Sequence, residues 1–201
     1  MDGLKPADAG SRLDRRRVVA RLLEDRGDLL VVTGLGAPSY DCAAAGDHPH
    51  NFYLWGAMGG AAMLGLGLAI AQPQRRVLVI TGDGELLMGL GALATIAVRR
   101  PANLSVVVLD NERYAETGGQ RTHTAHGVDL AAVATGCGFA NSSTVRTEAQ
   151  VDALREAVRT GAGPVFAAVK IEPTDLPRVL PPRDGVHLAS RFRQALLGEA
   201  F

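Results

Sequence analysis

Val77–Leu78–Val79–Ile80–Thr81–Gly82–Asp83–Gly84–Glu85 joins an unbroken apolar run to an aspartate held between two glycines. A run this short, bounded by glycine, fits a parallel strand buried on both faces. A helix is predicted over Glu85–Val98, and Leu104–Asp110 is a second apolar strand ending at Asn111. Residues 85–110 are enough for one helix and one returning strand, so the two strand ends lie side by side. That brings the Asp83 carboxylate and the Asn111 amide oxygen within reach of one hard cation. Mg²⁺ takes roughly six oxygens, commonly from one or two carboxylates with substrate phosphates completing the shell. Glycine lets backbone N–H groups approach a phosphate, and the helix start near Glu85 turns its positive end toward it. A lone Gly–Asp–Gly would read as an ordinary turn with Asp83 as a cap. The spacing to Asn111 favours the ligand reading.

Working outward, the same alternation continues. Residues 1–10 read as a flexible tail. Ser11 with Asp14 resembles a capping box ahead of a helix whose face carries Val18, Val19, Leu22 and Leu23. Leu29–Thr33 is a strand ending at the turn Gly34–Ser39, with a polar loop through Asn51 and a small-residue helix over Gly56–Ala71. Beyond Asn111, a loop containing Thr117–Gly118–Gly119–Gln120 leads to a helix near Asp129–Thr135. Thr147 and Gln150 cap a helix carrying Val151, Leu154 and Val158, and Val165–Ile171 is the last strand. A proline-rich crossing, Pro173–Pro182, precedes a helix with Leu188, Phe192 and Leu196 on one face. Strands alternating with helices predict an α/β fold, a doubly wound and mostly parallel sheet with helices on both faces. Residues 11–172 are expected to form the domain, and 173–201 its proline-rich crossing and C-terminal helix. In such sheets ligands sit beyond the carboxyl ends of the strands, where three glycine-rich turns fall, after Thr33, after Thr81 and around Asn111.

Composition narrows the function classes. The 201 residues are 47% hydrophobic and 4% aromatic, with 24 glycines, which suits a sheet with many tight loops. The 21 basic and 21 acidic side chains cancel, giving no electrostatic reason to expect nucleic acid or an anionic membrane. Cys42 and Cys137 make neither a disulfide framework nor a metal motif. The most apolar stretch, Gly56–Ala71, is short of the roughly 20 residues of a membrane span, and no signal core opens the chain, so a cytoplasmic protein is expected. GLGAPS, residues 34–39, looks like a degenerate dinucleotide-binding loop. Ser39 stands where the third glycine would be, and neither a clear helix nor an acidic strand end is predicted after it, which weakens a nicotinamide reading.

NFYLWGAMGGA (51–61), TGDGELLMGLGALATIA (81–97) and LDNERYAETGGQ (109–120) together resemble the diphosphate-binding domain of the thiamine diphosphate-dependent 2-oxoacid decarboxylase and acetolactate synthase superfamily. The similarity is strongest to sulfopyruvate decarboxylase β subunits and the C-terminal half of phosphonopyruvate decarboxylase, and runs from about Arg15 to Ile171. The resemblance implies thiamine diphosphate and Mg²⁺ as cofactors. Asp83, Asn111 and the backbone carbonyl of Arg113 would be the metal ligands; Asp110 stands where the family commonly has a further asparagine. Gly82, Gly84, Glu85 and Tyr114 would border the diphosphate, and Gly36 and Ser39 lie in the first phosphate-contacting loop. The Gly56 carbonyl would accept from the cofactor's 4′-amino group, and Met58 would be the apolar wedge that bends the cofactor, although methionine is as often core filler.

The family's cofactor is activated by a glutamate from a separate pyrimidine-binding domain. None of this chain's glutamates fits: Glu85, Glu112 and Glu116 flank the diphosphate motif, while Glu24, Glu148 and Glu156 lie on amphipathic helices. A partner subunit supplying that acid, in a homo- or hetero-oligomer, is therefore expected. For a small-molecule 2-oxoacid substrate, Thr117, Gln120 and His123 are the expected catalytic residues, His123 as proton carrier because histidine titrates near neutral pH. Arg121 and His123 are candidates for a second substrate anion. Arg121 and His126 read equally well as surface residues, and His48 and His50 as loop packing. Three functions compete: a 2-oxoacid decarboxylase subunit, a carboligase or 2-oxoacid oxidoreductase β subunit using the same cofactor, and a cofactor-binding regulatory module without turnover.

Overall fold

The computed structural model describes residues 12–198. Six strands form one parallel sheet in the order β2-β1-β3-β4-β8-β7: β1 (Leu30–Thr33), β2 (Asn51–Tyr53), β3 (Val77–Gly82), β4 (Leu104–Asp110), β7 (Asn141–Val145) and β8 (Val165–Lys170). β5 (Arg113–Tyr114) and β6 (Gln120–Arg121) form a separate antiparallel hairpin beyond β4.

Alternate residues of the central strands bury themselves on opposite faces. Val77, Val79, Val106 and Val108 join one core cluster, and Leu78, Ile80, Val107 and Leu109 the other. Each such side chain contributes about 1.5–3 kcal/mol when fully buried, which is why these strands read as continuous apolar runs. The first cluster is covered by α3 (Ala61–Ala71), α4 (Asp83–Met88), α5 (Ala92–Arg99) and α6 (Leu130–Cys137), and the second by α1 (Arg15–Leu23), α2 (Ala37–Ala44) and α7 (Glu148–Thr160). α8 (Gly185–Leu197) lies beside β2 and reaches both, Phe192 meeting the first cluster and Leu188 the second. Phe192 packs edge-on to Phe52, ring centroids 5.5 Å apart. The crossing before α8 is pinned where Trp55 Nε1 donates to the Pro182 carbonyl at 2.8 Å.

Several predicted elements shift. α1 is capped by Asp14 itself, whose side chain accepts from the Arg17 N–H; Ser11 lies outside the described residues, as does the 1–10 tail. α2 starts inside the turn predicted over Gly34–Ser39 and runs on into the polar loop, whose last residue, Asn51, opens β2. The last three residues of GLGAPS thus open a helix, with Pro38 in its first turn, where a missing N–H costs nothing. The helix predicted from Gly56 begins at Ala61, because Ala57 and Gly59 take positive φ and turn the chain. The single helix predicted over Glu85–Val98 is two, α4 starting already at Asp83 and stopping at Gly89, α5 starting after Gly91. β7 escaped the sequence reading because Asn-Ser-Ser-Thr is polar and its alternate residues are exposed at the sheet edge. The capping box at Thr147 and Gln150 forms as expected.

This topology fixes where a ligand can sit. From β1 the chain passes over one face through α2 to β2 at the sheet edge. It returns over the other face through α3 to β3, on the far side of β1. The helices after the neighbouring strands β1 and β3 leave on opposite faces, opening a crevice beyond their carboxyl ends.

Candidate functional site

A cavity lies in that crevice. Its walls come from Leu35, Ala37 and Pro38 after β1, Met58 in the turn after β2, Gly82–Glu85 after β3, and Asn111 with Arg113–Thr117 after β4. β3 and β4 are in register, Gly82 opposite Leu109, so Asp83 and Asn111 extend from adjacent strand ends into one space.

Asp83 is 1% exposed. Thr122 donates to its Oδ2 at 2.6 Å and Thr124 approaches the same oxygen at 3.2 Å, leaving Oδ1 for a ligand. Thr124 also donates to Asp110 Oδ1 at 2.8 Å, and the two threonine hydroxyls are 2.8 Å apart. Burial first, and the Asp110 charge second, raise Asp83 to about 6. Asn111 Oδ1 accepts from the Arg113 N–H at 2.9 Å, which fixes the turn and leaves the amide oxygen a second lone pair. Tyr114 packs close against the turn because position 84 has no side chain; a Cβ there would meet the ring at 2.6 Å.

Asp110 is buried and answered from the next strand: Lys170 Nζ is 2.6 Å from its Oδ2 and 3.1 Å from Glu112 Oε1. Arg12 in turn reaches Glu112 Oε2 at 2.7 Å. Glu85 also lines the cavity, yet its Oε2 is engaged by the Thr81 hydroxyl at 2.8 Å and the Leu35 N–H at 3.1 Å. Its Oε1 is buried without a hydrogen-bond partner, and burial raises its proton affinity against the pull of Thr81 and nearby backbone N–H groups.

The structure gathers Met58, Gly82, Asp83, Gly84, Glu85, Asn111, Arg113, Tyr114 and Thr117 around one cavity. Others expected there stand apart. Ser39 is fully buried and spends its hydroxyl on Thr33 Oγ1 and the Gly34 carbonyl, so it braces the loop from behind. Gly36 adjoins the Glu116 side chain outside the cavity wall, and Gly56 is exposed. Gln120 sits on β6, and Arg121, His123 and His126 are exposed, because the backbone here turns the flanking Thr122 and Thr124 inward. His48 and His50 pack edge-to-face, ring centroids 4.8 Å apart, away from the site. Sequence reasoning missed Thr122, Thr124 and Lys170. The Thr122–His123–Thr124 alternation is the available signal: in an extended segment the two threonines share one face and the histidine takes the other.

The oxygens on offer suit a hard divalent cation and an anionic ligand: a carboxylate with one free oxygen and an amide oxygen, side by side. The lining has three carboxylates, Asp83, Glu85 and Glu116, against one guanidinium, Arg113. A diphosphate entering alone would meet charge of its own sign, and a cation held by Asp83 and Asn111 removes that conflict. Among the described residues no group of three or more His, Cys, Asp or Glu side chains could hold a metal unaided, so a metal here would depend on ligands such as amides, carbonyls or phosphate. No described helix is long and apolar enough to cross a membrane.

Comparison with known proteins places the chain in a family. The family model for the thiamine pyrophosphate enzyme, C-terminal TPP binding domain, matches residues 35–169. Sulfopyruvate decarboxylase subunit beta of Methanothermobacter thermautotrophicus is 39% identical over 186 residues, covering 92% of this chain and 97% of that protein. Phosphonopyruvate decarboxylase of Streptomyces viridochromogenes is 39% identical over 196 residues, covering 94% of this chain and 48% of that protein. A solved structure from Mycobacterium smegmatis, assigned as a thiamin diphosphate-dependent enzyme, shares the fold with a TM-score of 0.67 at 23% identity, covering 84% of this chain and 33% of that one. The chain belongs to the thiamine pyrophosphate enzyme family and carries its TPP-binding domain.

Proposed function

We propose that this family member is the diphosphate-binding subunit of a thiamine diphosphate- and Mg²⁺-dependent decarboxylase acting on a small 2-oxoacid of the sulfopyruvate or phosphonopyruvate type, active with a partner subunit. The observation that carries the reading is the convergence of Asp83 and Asn111 on one cavity at the switch point of a parallel sheet. The substrate type rests on the two decarboxylases that match most of the chain, and the partner on the relative that is itself a beta subunit.

In this reading Asp83, Asn111 and the Arg113 carbonyl hold Mg²⁺, and the turn after β3 receives the diphosphate. The bound cofactor supplies the electron sink that decarboxylation requires. Met58, at the cavity wall, braces it from its apolar side. Both cavity-lining glutamates are engaged at the diphosphate end of the site, Glu85 through Oε2 with Thr81 and Leu35, and Glu116 with Arg178 at 3.6 Å. The activating acid therefore comes from the partner. Thr117 is the one expected catalytic residue on the wall, while Gln120 and His123 need the assembled enzyme, or movement of their loop, to reach substrate.

The test is CO₂ release from sulfopyruvate, phosphonopyruvate and pyruvate by the purified chain and by the chain assembled with its partner. Activity from the assembly alone, and greater on a dianionic substrate, supports the reading. Turnover by this chain alone would overturn the partner assignment. A second reading draws on the 2-oxoacid:ferredoxin oxidoreductase beta subunit of Aeropyrum pernix, 34% identical over 110 residues, 54% of this chain. Ferredoxin reduction coupled to CO₂ release would select it.

A further inference from the structure

Asp83 and Asp110 stand at the ends of adjacent strands, are both 1% exposed, and both reach the hydroxyl of Thr124. Two buried carboxylates this close would ordinarily both turn to a divalent cation. Only Asp83 lines the cavity; Asp110 Oδ1 accepts from the Glu112 N–H at 3.1 Å and from Thr124, and its Oδ2 is engaged from the third strand. Asp110 is in register with Lys170, whose ammonium is 2.6 Å from Asp110 Oδ2. The ammonium is itself held by Glu112, and Glu112 by Arg12. Five charged groups thus form one chain, with three carboxylates against two cations. The unbalanced negative charge falls on Asp83, the member of the chain without a basic partner among these contacts.

We propose that Lys170 is a positioning residue for the metal site: by holding Asp110 it keeps that carboxylate off the metal, so that of the two strand-end aspartates only Asp83 presents a charged oxygen to the cavity. The inference rests on the metal assignment above. Its consequence is metal choice as well as affinity. Mg²⁺ binds well through few carboxylates plus phosphate oxygens, whereas Ca²⁺ accepts more carboxylates in looser geometry. With Lys170 removed, Asp110 becomes a second carboxylate beside Asp83, adding an uncompensated charge where a diphosphate must bind.

The experiment titrates thiamine diphosphate into the full chain, assembled with its partner, by calorimetry in Mg²⁺ and in Ca²⁺. The variants are Lys170→Met, Lys170→Arg and the double variant Asp110→Asn/Lys170→Met. Lys170→Met should weaken Mg²⁺-supported binding about tenfold or more, since breaking a buried pair strands a charge, and should narrow the preference for Mg²⁺ over Ca²⁺. Lys170→Arg should stay close to wild type. The double variant removes both charges and keeps an oxygen for Thr124, so it should return to within about threefold of wild type. If Lys170→Met does not fold, the folded double variant decides alone. Wild-type binding by Lys170→Met, or a folded double variant that binds no better than a tenfold loss, overturns the proposal. If the wild-type chain itself takes up no cofactor with Mg²⁺, the functional reading fails first.

Discussion

The Glu85 carboxylate fills the space that a side chain on Gly34 would need, for a Cβ at position 34 would lie 1.6 Å from Glu85 Oε2. Glycine is required there so that the end of β1 can close on α4, with Thr81 and the Leu35 N–H holding the carboxylate in the gap. Gly34→Ala should evict it and lower the melting temperature. Each buried polar group left without its partner costs about 1–3 kcal/mol. Because both residues share one space, Gly34→Ala/Glu85→Ala should be less destabilised than the sum of the single changes. Additive losses in a denaturation cycle would contradict the contact.

Met58 is 36% exposed on the cavity wall, so it is not core filler. Met58→Ala should therefore change stability by no more than about 0.5 kcal/mol, as for ordinary surface substitutions, and not by the roughly 2–5 kcal/mol of a core truncation. Turnover of the assembled decarboxylase should fall while cofactor affinity changes little. A lowered melting temperature with unchanged turnover per folded molecule would assign Met58 to packing.

Asp83 is raised to about 6 by burial first and the Asp110 charge second, so the metal-free fold holds its proton more tightly than the unfolded chain does. An unfolded aspartate titrates near about 3.9. Its contribution to stability is thus complete below that value and lost as pH rises through about 6. Mg²⁺ competes with this proton, so cofactor binding should strengthen over the same window and level off above it. Glu85 and Asp41 are also raised by burial and add to the slope. Denaturant melts of Asp83→Asn beside wild type isolate the Asp83 share. An identical pH slope in the two proteins would exclude it.

The central strands were legible because burial on both faces demands the apolar runs that Leu30–Thr33, Val77–Thr81 and Leu104–Asp110 provide. The Asp83–Asn111 pairing followed from strand order alone. What could not be read came from contacts distant in sequence. α2 is a helix of weak local signal, Ala-Pro-Ser-Tyr-Asp-Cys, whose Asp41 is gripped by Arg15 from α1. β7 is polar because it closes the sheet edge. Lys170 reads as the tail of a strand until its partner Asp110, sixty positions away, is seen beside it. Thr122 and Thr124 acquire meaning only once the loop after β4 folds back on the start of α4.

The central claim is that a cofactor diphosphate is anchored through a metal at the ends of β3 and β4, and calorimetric titration of thiamine diphosphate with and without Mg²⁺ tests it most directly. Wild type should bind only with the metal. Asp83→Ala should lose about a hundredfold or more of that affinity, and Asn111→Ala about tenfold, a charged oxygen being worth more than a neutral one. Both variants should keep their fold, since each side chain faces the cavity and not the sheet's hydrophobic core. Unchanged, Mg²⁺-dependent affinity in a folded Asp83→Ala protein would contradict the account.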